Sequence, residues 1–170
     1  ISVLAAFLLL ALPTLVSALV TVNPIEVGVG KYQTFTVSVP VQRDIPTVGV
    51  RLVIPEGLAS VTPNVKPGWT IEVKKAGEGE SMRVVEIVWT GGSIPPGQRD
   101  EFAFSAKTPA QSSSLTWKAY QTYQGGSVVA WDQAADSQPK DASGKPDFSQ
   151  FGPYSETTIV DDLTQGNEHV

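Results

Sequence analysis

The side chains that most often do chemistry are scarce in this sequence. Its 170 residues hold one histidine, one methionine and no cysteine. Without cysteine there are no disulfides, thiolate metal sites, iron–sulfur clusters or cysteine nucleophiles. The single histidine, His169, stands in the polar run "DDLTQGNEHV" that ends the chain, so no Ser-His-Asp constellation assembles within a folded interior. Glu72, Glu86 and Glu101 fall in strand-like stretches and read first as solvent-facing residues; whether two of them pair as in a glycoside hydrolase is left open by sequence. No glycine-rich phosphate loop follows a strand and opens a helix. Asp132, Asp136, Asp141 and Asp147 lack the spacing of a calcium loop. The expectation is a protein that is not an enzyme. A net charge of −5 offers phosphates no attractive field, which argues against nucleic acid as a partner.

The elements that would position these groups are strands. Apolar residues alternate at period two along the middle of the chain: Phe35, Val37 and Val39; Val48, Val50, Leu52 and Ile54; Trp69, Ile71 and Val73; Val85, Ile87 and Trp89. Phe102, Phe104 and Ala106 follow, then Leu115, Trp117 and Ala119, and "SVVAW" adds a short strand. Turn signals separate them: "PEG" at 55–57, "KPG" at 66–68, "GGSIPPG" at 91–97 and "QGG" at 124–126. With 15 glycines, 13 prolines and no capped helical period, this is an all-β chain, an immunoglobulin-like antiparallel β-sandwich over 19–131. Residues 132–153 read as a polar surface loop, 154–160 as a final strand and 161–170 as a polar tail.

Residues 1–18 carry the apolar run "SVLAAFLLLALPTLVSA" and read as a signal peptide, cleaved after Ala18 where small residues meet the needs of a signal peptidase. The run is short for a membrane span, and Pro13 also favours cleavage over anchoring. The mature chain is expected to begin at Leu19, outside the cytoplasm (secreted, periplasmic or cell-surface), with no membrane span of its own.

Several stretches together carry a resemblance: "VTVNPIEV" from 20, "IPEG" at 54–57 with "KPGW" at 66–69, "IVWTGGSIPPGQRDEFAFSAK" at 87–107, and "LTWKAYQTYQGGSVVAW" at 115–131. In order and spacing they resemble the YcnI-like copper-binding domain, an extracytoplasmic β-sandwich. The resemblance implies copper, as Cu(II), held by the amine and imidazole of an N-terminal histidine, by a carboxylate, and beside a tryptophan. Carried over, the carboxylate is Glu101, the tryptophan is Trp131, and the histidine position is Leu19. An amine and a neutral imidazole suit a tetragonal Cu(II) site, and leucine supplies only the first. Asp100 is expected on the opposite face from Glu101. Met82, the lone methionine, gives Cu(I) no better a site.

The resemblance implies a copper-handling, chaperone-like protein whose partners are copper ion or a copper-delivery protein. The alternative is a β-sandwich binding module that has kept the frame without the metal and engages an envelope or cell-surface partner, with Tyr120 and Tyr123 beside Trp131 as a contact patch. An oxidative copper enzyme acting on polysaccharides needs two histidines that the folded part lacks. Position 19 separates the first two readings.

Overall fold

The computed structural model describes residues 19–161. The signal-peptide reading of residues 1–18 and most of the tail, His169 included, lie outside the described residues. Among the described residues twelve strands form in chain order: β1 (Thr21–Asn23), β2 (Glu26–Gly28), β3 (Tyr32–Pro40), β4 (Thr47–Val53), β5 (Ala59–Pro63), β6 (Thr70–Ala76), β7 (Arg83–Ile94), β8 (Arg99–Lys107), β9 (Ser113–Tyr123), β10 (Val128–Gln133), β11 (Phe151–Pro153) and β12 (Ser155–Val160). They make two layers. The smaller sheet runs β1-β3-β8-β5; the larger runs β11-β10-β9-β4-β7-β6, with β12 on β9 and β2 on β12. Pairing is antiparallel except for the short pairs β10–β11 and β2–β12, which are parallel. No helix of the described residues is long and apolar enough to cross a membrane.

Period-two alternation builds the core, because every second side chain of a strand faces the same layer. Phe35 and Phe104 of the smaller sheet stack 5.5 Å apart and meet Trp117 of the larger at 5.2 and 5.7 Å. Phe102 lies 5.3 Å from Trp89 and takes Trp69 edge-on at 4.9 Å. Offset and edge-on contacts of this kind add about 0.5–1.5 kcal/mol each beyond the area they bury.

The structure departs from the sequence reading in three places. A bulge in β4 between Thr47 and Gly49 turns Thr47 inward, fully buried, and leaves Val48 half-exposed. The stretch 91–97 is not all turn: β7 continues through Ile94, and only Pro95–Gln98 closes the hairpin, with the Gln98 N–H on the Pro95 carbonyl. Segment 132–153 is more than a polar loop. It contains the end of β10, a 3₁₀ turn at Ala135–Ser137, a bridge between Lys140 and Pro146, and β11.

Candidate metal centre

Register places the expected ligands. Thr21 pairs with Ser38, and Ser38 with Glu101, so β1, β3 and β8 put these three residues in one row. With strands ~4.8 Å apart, Thr21 and Glu101 are separated by about 10 Å. The buried residues Val20, Val22, Val37, Val39 and Phe102 face the other layer; Thr21, Ser38 and Glu101 therefore face outward. Leu19 precedes β1 by two residues and lies outside the strand. Leu19 is half-buried and packs against the core.

Glu101 is exposed, and its backbone N–H donates to the Asp100 carboxylate at 2.8 Å. Asp100 faces the other way, as expected, and is ion-paired with Lys66 at 2.9 Å. Two residues along the outward face, Arg99 donates to the Ser38 hydroxyl at 2.6 Å.

Trp131 stands elsewhere. It belongs to the larger sheet, level with Ala119 of β9, and points inward with 4% of its surface exposed. Its indole N–H donates to Gln121 Oε1 at 3.1 Å, and Phe148 covers it at 5.9 Å between ring centroids. Glu101 thus lies on the outward face of the smaller sheet, Leu19 packs against the core just before β1, and Trp131 stands in the interlayer space near the end of β3. The contact patch expected from Tyr120, Tyr123 and Trp131 does not form. Tyr123 and Trp131 are buried, whereas Tyr120 lies on the opposite face of β9, under Arg51 at 3.9 Å and donating to Asp132 at 3.0 Å.

Among the described residues no three of His, Cys, Asp and Glu come together. The donors present are one exposed carboxylate and, if the chain is processed there, the amine of Leu19. That set falls short of the one the resemblance implies. A residue that sequence reasoning missed is Gln121, 1% exposed, which donates to the Pro40 carbonyl at 2.9 Å and the Thr47 hydroxyl at 2.8 Å. Its signal was in the sequence: it continues the inward alternation of Leu115, Trp117 and Ala119.

Fold and register define an immunoglobulin-like sandwich with its first strand at the edge of the smaller sheet. A solved protein from Nocardia farcinica, described as having an immunoglobulin-like fold, matches with a TM-score of 0.63 and 25% identity, over 83% of this chain and 97% of that one. A cohesin module from a family 33 glycoside hydrolase of Clostridium perfringens matches in fold alone, with a TM-score of 0.51 and 13% identity over 86% and 98%. Residues 19–147 match the family described as a domain of unknown function (DUF1775). The chain belongs to that family, which is the YcnI family. Copper-binding protein CutI of Bacillus subtilis (strain 168) is 35% identical over 125 residues, 71% of this chain and 59% of that protein. The chain therefore spans about three fifths of that relative's length.

Proposed function

We propose that this protein handles copper outside the cytoplasm as a non-enzymatic carrier, with copper as cargo and a site weakened at its first ligand. The observation that carries this reading is the row Thr21–Ser38–Glu101, which sets the start of β1 and a solvent-facing carboxylate on one face of a chain 35% identical to a copper-binding protein. Release of the Leu19 amine by signal cleavage would complete the pair. Without an imidazole, the amine and Glu101 hold Cu(II) less firmly than a histidine terminus would. Export, cleavage after Ala18 and the copper-delivery partner belong to this proposal.

The test is Cu(II) titration of the chain processed to begin at Leu19, followed by electron paramagnetic resonance, beside Glu101→Gln and Leu19→His. The expected result is weak binding that Glu101→Gln removes and Leu19→His strengthens. One observation favours a second reading, a binding module without metal: Leu19 is half-buried against the core, as a packing residue would be. Copper uptake by neither the natural chain nor Leu19→His would give that reading the lead.

A further inference from the structure

We propose that β6 is the surface through which two copies of this chain associate, edge to edge, with Val73 opposite the partner's Val73. Copper plays no part in this inference. A strand at the end of a sheet presents unpaired N–H and C=O groups, which folded proteins blunt with shortness, bulges, proline or charge. The edges of this sandwich differ in how far they are blunted. β1, β2 and β11 are three residues long, β1 is tied to β12 by the Val22 N–H on the Ser155 hydroxyl, and β11 ends in Pro153. β5 is irregular between Ala59 and Thr62, where Ser60 takes a φ of 53°, and it ends in Pro63. β6 has seven residues, no proline, and β7 as its neighbour on one side only. Among the described residues no backbone hydrogen bond beyond the β7 ladder reaches Thr70–Ala76. The irregularity in that ladder falls on the other strand: Lys74 pairs with Glu86 and Lys75 with Val84, so the extra residue, Val85, belongs to β7.

What this edge does carry is charge, and the order of the charges selects a second copy. Glu72 and Lys74 share the outward face of β6, whereas Ile71 and Val73 are half-buried on the inward one. Lys74 reaches Glu86 at 3.7 Å, and Glu72, level with Val88, forms no ion pair among the described residues. Antiparallel pairing of two identical strands about a two-fold axis through the sheet sets one residue opposite itself. Centred on Glu72, Lys74 or Lys75, it sets like charges directly opposite, which is destabilising. Centred on Ile71, it gives Glu72 only the partner's Thr70. Centred on Val73, it sets Glu72 opposite the partner's Lys74 and Lys74 opposite the partner's Glu72. Each Lys74 then lies between Glu86 of its own chain and the partner's Glu72, so charge alternates along the row. On the inward side the Lys75 stem covers the partner's Ile71. An extended peptide of another protein would use the same backbone groups, but nothing in β6 specifies its sequence, whereas the charge order of β6 specifies itself.

Pairing along seven residues falls at the small end of specific interfaces, below ~1,200 Å² in total. The dimer is therefore expected to be reversible and to weaken with salt. The test is sedimentation velocity over a concentration series, on the chain beginning at Leu19, which keeps every described residue. A monomer–dimer equilibrium is expected. Glu72→Lys and Lys74→Glu should each weaken it by about 10- to 100-fold, because each turns two attractive pairs into two repulsive ones. An equimolar mixture of the two variants should form a heterodimer, since one presents two lysines where the other presents two glutamates. The double variant Glu72→Lys/Lys74→Glu should dimerise like the natural chain. Glu156→Lys, the same charge change at an exposed position of β12, is the control and should leave the equilibrium alone. If Lys74→Glu does not fold, because its carboxylate meets Glu86 across the ladder, Glu72→Lys beside Glu156→Lys carries the test.

A chain that stays monomeric at about 1 mM overturns the inference. So does a dimer that Glu72→Lys weakens no more than Glu156→Lys does, which would place the contact on another surface. Folded single variants that fail to associate when mixed overturn the register centred on Val73.

Discussion

Two tryptophans in this molecule lie across glycines, and they are held differently. Trp69 covers Gly92 of β7, where a Cβ would come within 2.2 Å of the ring; Trp131 covers Gly152 of β11, where it would come within 2.1 Å. Trp69 is half-buried and meets Phe102 edge-on. Trp131 is buried between Gly152, Phe148 and the amide of Gln121. Both rings are seated by a missing side chain, and the described bonds tie Trp131 by its N–H as well. A ring held by contact alone can swing toward solvent when crowded. One that is also tied inward must break a buried hydrogen bond to do so.

Gly152→Ala should therefore have the larger effect. Overpacking costs about 1–3 kcal/mol in general, and here the upper end is expected, because the ring cannot move without abandoning Gln121. Urea unfolding gives the stability loss, and the Trp131 indole proton should lose its protection. A loss below about 1 kcal/mol would mean that β11, a short edge strand, moves away instead. Gly92→Ala should cost less, near the lower end of the same range, since Trp69 has an open side. Its expected mark is a red shift of tryptophan emission as that indole meets water. Equal losses at the two glycines would remove the distinction between the rings.

The same two glycines mark where sequence reading failed. "GGSIPPG" has the composition of a turn, and "FGP" lies in a segment rich in Ser, Pro and Asp. Local chemistry assigns both to loops. In each case a glycine sits in a strand because an indole more than twenty residues away needs its space, as Trp69 does over Gly92 and Trp131 over Gly152. A requirement set by a distant ring has no local signature. What depended on alternation was legible: the faces of β3, β8 and β9, the outward Glu101 and the opposed Asp100. The patch of Tyr120, Tyr123 and Trp131 contradicted alternation, since residues 120 and 123 differ in parity and cannot share a face of one strand. Gln121 was readable by the same rule, as a polar residue on an otherwise inward face. Thr47 was not, because the bulge that turns it inward interrupts the period.

The smallest expected effect comes with pH and separates the two rings without changing their glycines. Two tyrosines stand at the Trp131 end. Burial raises the phenol of Tyr120 above its ordinary pKa of 10.0, and the Asp132 carboxylate that accepts its proton raises it further, against the lowering effect of Arg51. Burial also raises Tyr123, partly offset by Arg43 at 4.5 Å from its ring. A raised phenol pKa means that the folded state holds its proton more firmly than the unfolded chain does. The stability this supplies is complete below the unfolded pKa and is lost as pH climbs through the folded value. Stability should thus fall as pH rises from about 10, the reference value for tyrosine. The loss should be smaller than that of Gly92→Ala and should be reduced by Tyr120→Phe. Near the onset of that fall the carbon-bound ring resonances of Trp131, which do not exchange with water, should broaden before those of Trp69. Simultaneous broadening would mean that alkaline loosening is global and that the two ends of the sandwich do not differ in what holds them.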